Sequence, residues 1–540
     1  MTGTGEQVGT AGGSAWSPLR GRVFRDLWLA QFGSNIGSWM QTVGAQWLLV
    51  GHGAAQVSMV QLAAGLPVLF LALPAGVLAD LVDRRRLLLV MQAAMALVAA
   101  ALAVLAFAGL LGTWALLALT FLLGCGNALN GPAWQAVQPS LVPRDELRQA
   151  AALGAVNQNL ARAVGPALGG AFVAVLGVGW TFAVNAASFL GILAVLATWR
   201  PGGPARAPGS AQEREHLIAA LKAGDRYVRN APRIRRILLR SVLFVPGASA
   251  LWALLPVAAH QSLGLGAAGY GLLLGAVGLG AVAGAAALPA VSRRIGGNGA
   301  LALAGAVFAG ALLTIAVSTN VPLTFLALFL AGAAWITVLS TLNAGLQVAL
   351  PAWVRARGAA CYLLVFQGGS ALGSLLWGQL AQHAGVCAAM VLAALSLLVG
   401  VLSLHRLPLL GGRADPTLSE AWPEPQVVVE PAPQDGPVLV TVTYQVRAEQ
   451  VPRFAAAMRR VESSRRRTGA VTWGLYRDAG RPEQFVETFT VASWSEHRAQ
   501  HHGRYTGTDR AFETDSRELL HREPTVAHAM MVRGTGDAQG

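Results

Sequence analysis

A chain of 540 residues of which 54% are hydrophobic, only 12% charged and 63 glycine does not read as a string of soluble domains. Its formal charge of +14 would suit a nucleic-acid-binding protein, yet the basic residues of its first 406 positions fall mainly in short segments between apolar runs, which points to a lipid bilayer as partner and not to nucleic acid. The three cysteines, Cys125, Cys361 and Cys387, all sit inside apolar stretches, which argues against a disulfide framework or a zinc-thiolate site.

Residues 1–25 are read as a cytoplasmic tail. Arg20, Arg22 and Arg25 precede the first apolar run with no small-residue cleavage signature, so that run is expected to stay as a helix. A bilayer core about 30 Å thick takes roughly 20 apolar residues per crossing. Such windows recur at 27–50, 57–80, 87–111, 114–138, 150–176 and 180–199, then at 236–259, 268–291, 299–318, 321–346, 358–382 and 386–404. Twelve transmembrane helices follow, in two bundles of six spanning 26–200 and 236–406. The cytoplasmic linker between them, 201–235, begins PGGPARAPGS and then places Leu217, Leu221 and Val228 opposite Arg214, Lys222, Arg226 and Arg229, the pattern of a helix lying in the membrane interface. Arg84 to Arg86, Arg144, Arg148, Arg293, Arg294, Arg355, Arg357 and Arg406 alternate with loops that carry no Lys or Arg. By the positive-inside rule both termini are expected to be cytoplasmic, in a plasma (inner) membrane.

The two sets also look duplicated. LNGPAWQAVQPSLVPR (Leu129–Arg144) resembles LNAGLQVALPAWVR (Leu342–Arg355), and each follows the fourth helix of its set. Pseudo-repeats of this kind belong to transporters whose substrate path runs between the halves near the midplane.

At the turn from the second helix to the third stands GVLADLVDRRR, which resembles the signature of the major facilitator superfamily: Gly76, Asp80, Arg84 and Arg85 match, while Leu81 and Asp83 depart from it. The acidic Asp83 is similar to the siderophore and macrolide exporter branch, the group that includes enterobactin-exporter-like proteins. The resemblance implies a cytoplasmic gate made of Gly76, Asp80, Asp83, Arg84 and Arg85. In it, Asp80 faces the N-terminus of the eleventh helix and the arginines pair with neighbouring acids. In the fifth helix, ARAVGPALGG is similar to the superfamily's antiporter motif through Gly165, Pro166, Gly169 and Gly170, with Ala161 replacing its first glycine. Small residues there let a neighbouring helix come close, and the resemblance implies an exporter.

Arg162 is the one basic residue deep in a helix of the first half. Burying it costs about 3 kcal/mol on insertion scales, so it is expected to face a polar interior. Gln31, Asn35, Gln46, Asn127, Asn130, Asn157, Asn343 and Gln367 complete the expected substrate path, with Trp39, Trp47, Trp134, Trp252, Trp335 and Trp377 available to stack on a planar or anionic ligand. From Arg226 through His405 there is no Asp or Glu. A proton carrier would have to be Asp26, His260, His383 or the substrate itself. No phosphate-binding loop occurs, so ATP drive is not expected, and no cofactor or catalytic residue is assigned.

A Pro-rich linker, 407–436, with Pro416, Pro423, Pro425, Pro431 and Pro433, leads to a soluble domain at 437–533. VLVTVTYQV, AVTWGLYRD, QFVETFTVA and VAHAMMVR read as strands, with helices at 449–467 and 494–520, an order that fits a ferredoxin-like α+β fold. WSEHRAQHH (Trp494–His502) resembles antibiotic biosynthesis monooxygenase and haem-degrading domains, which pair as dimers. Exporters called transmembrane secretion effectors carry a similar appendage. Trp473, Trp494, His497, His501 and His502 are the only chemical candidates there. His497 and His501 have metal-ligand spacing, but they are read as surface histidines and no metal is assigned. The expected function is export of a siderophore, drug or secondary metabolite by a proton-coupled secondary transporter that dimerises through its tail. The alternative is a membrane-tethered oxidoreductase with its chemistry in the tail.

Overall fold

The computed structural model describes residues 14, 16–138, 141–199, 226–351, 353–409, 415, 417–419, 427 and 430–531. They fall into two compact units, one drawn from Met1–Gly209, Ser241–Thr341 and Leu364–Arg406, the other from Ser210–Arg240, Leu342–Leu363 and Leu407–Gly540.

The first unit is helical. It contains α1 (Arg22–Leu48), α2 (Ala54–Leu81), α3 (Arg84–Phe107), α4 (Thr113–Val137), α5 (Leu147–Leu176) and α6 (Val178–Thr198). It also holds most of α7 (Pro232–Gln261), α8 (Ala267–Val317), most of α9 (Val321–Ala349) and of α10 (Arg355–Ala384), and α11 (Val386–Leu402). Nine of the described helices, α2 to α10, are long and apolar enough to cross a membrane, while α11 has 17 residues. α1 is interrupted by Gln31, Ser34, Asn35, Ser38, Gln41 and Thr42. The 51 residues of α8 would extend about 76 Å as one rod, more than twice a hydrocarbon core. Gly296, at φ 68°, breaks it just after Arg293 and Arg294, in the gap expected between the eighth and ninth apolar windows.

α5 packs against α1 on one side and α8 on the other. A Cβ at Gly165 would lie 2.6 Å from the Trp39 Cβ, one at Gly169 2.8 Å from the Met40 Cα, and one at Gly170 2.9 Å from the Gly271 Cα. Only hydrogen fits at these contacts, so the small residues of ARAVGPALGG serve backbone approach. Gly170→Leu is therefore expected to lower the amount of folded protein recovered from membranes several-fold, as overpacking of 1–3 kcal/mol or more would, whereas Gly191→Leu on α6, where a Cβ meets nothing within 4 Å, should be neutral. Fluorescence size-exclusion profiles would compare the two.

The second unit joins helical residues 226–230, the start of α7, the end of α9 and the start of α10 to the tail. The sequence placed 236–406 in one bundle; the structure gives 236–240 and 342–363 to the unit that contains the tail. The tail runs β1 (Val438–Gln445), α12 (Val451–Thr468), β2 (Ala470–Arg477), β3 (Gln484–Val491), α13 (Trp494–Ala499), a π-helical turn Gln500–Arg504, α14 (Gly507–Arg517) and β4 (Thr525–Met530). The strands form one antiparallel sheet in the order β2-β3-β1-β4. Alternation in β1 and β3 turns Val438, Val440, Val442 and Tyr444 with Phe485 and Phe489 onto Phe454, Met458 and Val461 of α12.

The single helix expected over 494–520 is instead broken at Tyr505 and Thr506. Thr506 and Asp509 form a reciprocal capping box that starts α14 afresh, a signal present in the sequence as TGTD. Among the described residues the tail meets the rest of its own unit through charge. Glu496 accepts from Arg504 Nη1 at 2.6 Å and from Arg226 Nη2 at 3.3 Å, and Arg504 lies 4.9 Å over the Trp353 ring. Burial alone would raise the Glu496 pKa, but these guanidinium groups outweigh it and hold the carboxyl below its usual range. The rest of the interfacial helix expected at 214–229 lies outside the described residues.

Candidate functional site

Two neighbouring cavities lie in the first unit, along α1 and α5. One, of about 230 Å³, is lined by Ser38, Trp39, Thr42, Gln61, Arg162, Trp252, Trp335, Phe366 and Ser370. The other, of about 460 Å³, is lined among others by Trp28, Gln31, Asn35, Asn127, Asn130, Trp134, Gln135, Gln138, Asn157 and Gln158. Asn35 and Ser38 are less than one turn apart on α1, and Gln158 and Arg162 one turn apart on α5, so the cavities succeed each other along the same two helices.

The smaller cavity is an aromatic box around one cation. The guanidinium of Arg162 sits 5.6 Å from the centroid of the Trp39 ring, Trp39 lies 6.2 Å from Trp252, and Trp252 lies edge-on to Trp335 at 5.6 Å. Phe366 closes another side against Trp335 at 5.8 Å. Among the described residues no carboxylate pairs with Arg162, and its Nε is buried without a hydrogen-bond partner. A cation held this way gains about 1 kcal/mol from the ring face, less than its desolvation costs. An anionic ligand entering the box would supply the missing counter-charge.

The larger cavity differs from this. Much of its amide chemistry is spent on holding helices together: Asn35 Nδ2 donates to Asn157 Oδ1 at 2.8 Å, Asn157 Nδ2 to the Trp28 carbonyl at 2.8 Å, and Trp28 Nε1 to the Leu153 carbonyl at 2.9 Å. Gln31 Nε2 donates to Asn35 Oδ1 at 3.0 Å, while its Oε1 is buried without a partner.

Of the path residues read from sequence, Gln31, Asn35, Asn127, Asn130 and Asn157 meet at this larger cavity and Arg162 at the smaller. Gln46 lines neither. It is buried, donates to the Trp252 carbonyl at 3.0 Å and accepts from Tyr270 Oη at 2.6 Å, which makes it a strut between helices. Gln367 is half-buried outside both linings, and Asn343 is exposed and belongs to the other unit. Ser38, Thr42, Phe366, Ser370, Gln135 and Gln138 escaped the sequence reading. Asn35, Ser38 and Thr42 share one stripe of α1 at helical spacing, a signal that could have found two of them.

Near the turn after α2, the surroundings of Gly76 and the side chain of Asp80 lie outside what the structure describes. Asp83 caps α3 by accepting from the Arg86 amide at 2.8 Å. Arg85 was expected to pair with an acid. It instead donates to the carbonyls of Leu196 and Ala197 at 2.9 and 2.7 Å, where the open C-terminal turn of α6 offers unpaired acceptors and the negative end of its dipole. Of the proton-carrier candidates, Asp26 pairs with Arg25 at 3.1 Å, His260 stands edge-on to Trp47 and His383 is exposed.

In the tail, a buried charge cluster went unnoticed in the sequence. Glu487 accepts from Tyr444 Oη at 2.7 Å, Trp473 Nε1 at 2.8 Å and Arg465 Nε at 3.2 Å, and Arg465 also pairs with Glu513. Burial would strip the Arg465 charge, but the two carboxylates reverse that effect and raise its pKa. His497 and His501, read as surface residues, are both buried. Burial first, then His528 beside it, pushes His497 down to about 4; burial and His497 push His501 down to about 3.

A family model described as transmembrane secretion effector matches residues 13–535. The enterobactin exporter EntS of Citrobacter koseri is 32% identical over 261 residues, 46% of this chain and 59% of that protein. The multidrug efflux pump Tap of Mycobacterium bovis is 29% identical over 282 residues, 47% of this chain and 66% of that protein. The chain thus spans about two thirds or less of the length of these curated relatives. A crystal structure of an alanine variant of the nucleoside transporter NupG superposes with a TM-score of 0.61 at 12% identity, covering 72% of this chain and all of that one, which shows a shared fold of the major facilitator type. These are transporters and not enzymes, and this multi-pass membrane chain belongs to the transmembrane secretion effector family.

Proposed function

We propose that the protein is a secondary transporter that exports an anionic or planar aromatic small molecule, of the siderophore, drug or secondary-metabolite class, by alternating access. The observation that carries this reading is the Arg162 guanidinium, held among the described residues without a counter-ion in a box of Trp39, Trp252, Trp335 and Phe366. Family membership and the exporters among the relatives support the direction of transport. In this reading twelve helical segments cross the inner membrane as two six-helix pseudo-repeats, α8 contributing two of them, with both termini cytoplasmic. Gly76, Asp80, Asp83, Arg84 and Arg85 form the cytoplasmic gate, Arg85 by holding the end of α6. The substrate passes between the amide-lined and the aromatic cavity. The drive is a proton gradient, with the substrate's own ionisable group in place of the absent membrane acid. The tail is a ferredoxin-like domain, a reading its strand order supports, and it pairs with the tail of a second copy. An oxidoreductase in the tail is not favoured, since the family and its relatives are transporters.

The test is efflux of a panel of catecholate siderophores and macrolides from cells that lack their own exporters. Cells expressing the chain should lose preloaded substrate several-fold faster than cells with empty vector, and removing 430–540 should leave most of that rate. A chain present in the membrane that moves no member of a broad panel, or one silenced by the tail deletion alone, would sink the reading.

A further inference from the structure

Three histidines that transport does not use come together in the tail. His497 lies in α13, His501 in the π-helical turn that follows, and His528 on the edge strand β4. The two Nε2 atoms of His497 and His501 are 3.2 Å apart, and one ring nitrogen from each of the three lies within 4.8 Å of the others. The ring centroid of His497 is 4.6 Å from that of His501 and 4.9 Å from that of His528. His497 and His501 are buried and His528 half-buried.

As three neutral rings this arrangement is poor. His497 and His501 can share one hydrogen bond, but the Nε2 of His528 is buried with no hydrogen-bond partner. Such an atom costs about 1–3 kcal/mol. A shared ion would use the facing nitrogens. Ligand nitrogens at 2.0–2.1 Å from a tetrahedral zinc are about 3.3 Å from one another, and the His497–His501 pair already has that spacing. His528 would need to close by roughly 1.5 Å or less, which an edge strand paired on one side only permits. His497 and His501 stand four residues apart, so the helical path from α13 into the π-turn sets both on one face. Arg465, whose charge acts on His497 and His501, is paired with Glu487 and Glu513 and so opposes an ion weakly.

We propose that His497, His501 and His528 bind one divalent transition-metal ion, of the class that prefers imidazole ligands, with zinc as the reference and a fourth position open to water or a small ligand. The ion ties the π-turn to β4. Glu496, next to His497, holds Arg226 and Arg504, so loading would also stiffen the segment through which the tail meets the rest of its unit.

The test uses the full chain in detergent with no polyhistidine tag, stripped with chelator, reloaded with zinc and passed over a desalting column. About one zinc per chain is expected by elemental analysis. His501→Asn and His528→Asn should each weaken binding by about 100-fold or more, beyond the loss seen when only an outer-shell partner is removed, while His502→Asn and His521→Asn leave it unchanged. Cobalt(II) loading of the unmutated chain is the second measurement, independent of how the ligand variants fold, and strong visible bands of a tetrahedral ion are expected. No retained metal, retention unaffected by either ligand variant, or only the weak spectrum of octahedral cobalt would overturn the site.

Discussion

Replacing Arg162 with alanine is expected to cut efflux by at least tenfold while the protein remains at its normal level in the membrane. The magnitude follows from a charge-assisted contact worth about 1.5–3 kcal/mol to an anionic ligand. The sign of the stability change separates this role from a structural one. Arg162 has no ion pair among the described residues and an unsatisfied Nε, so the fold loses little more than one contact with Trp39 when the guanidinium goes. The variant should therefore melt no lower than the parent, and its buried-charge cost of about 3 kcal/mol disappears. Arg162→Lys is the informative companion. It keeps the charge but gives up the planar group that lies over Trp39, so it should retain part of the transport of simple anions and lose more with substrates that need a forked contact. Efflux and thermal unfolding in the same detergent would decide. A joint fall of activity and melting temperature in the alanine variant would make Arg162 a strut and leave the aromatic box without a ligand role.

Glu487→Gln should destabilise the tail by about 3–5 kcal/mol and yet leave efflux nearly intact. A carboxylate is an acceptor at every lone pair, and Glu487 faces three donors, Tyr444 Oη, Trp473 Nε1 and Arg465 Nε. A glutamine turns one donor group toward them and removes half the charge that compensates buried Arg465. Pairing the change with Arg465→Met should not recover the loss, because it takes the close cation from the buried carboxylate of Glu513, leaving it Arg517 at 3.7 Å. Proteolysis of the tail in the full-length protein across a urea series, with efflux measured beside it, would check both halves. A Glu487→Gln tail as resistant as the parent would contradict the account of the cluster.

The helices were legible because an apolar window of bilayer length is hard to build by accident. Each of the described helices α1 to α11 lies under an apolar window, nine of them are long and apolar enough to cross a membrane, and Gly296 falls in the gap left between two windows. Chemistry on those helices was harder to read. Gln31, Asn35 and Gln46 look alike in sequence, but only geometry tells that Gln46 is consumed by Trp252 and Tyr270 while the other two line a cavity. Arg85 carried a charge that suggested an acid as partner, although a helix end offers carbonyls to a guanidinium equally well. In the tail, Glu487 was readable. It stands between Phe485 and Phe489 on the inward-facing period of β3, and a carboxylate at such a position demands partners. His528 was not readable as a neighbour of His497, since strand pairing between β1 and β4 brings it there from outside the helix.

The contact of α5 with α8 has a mechanical consequence. Where Gly170 meets Gly271, backbone touches backbone. Helices locked by interdigitated leucines must exchange rotamers to slide, and each exchange adds friction. A smooth seam works as a bearing: it fixes the distance between two rods while leaving rotation and small translation nearly free. At this point of the α5–α8 seam the contact surface is built from the residue with no side chain to catch.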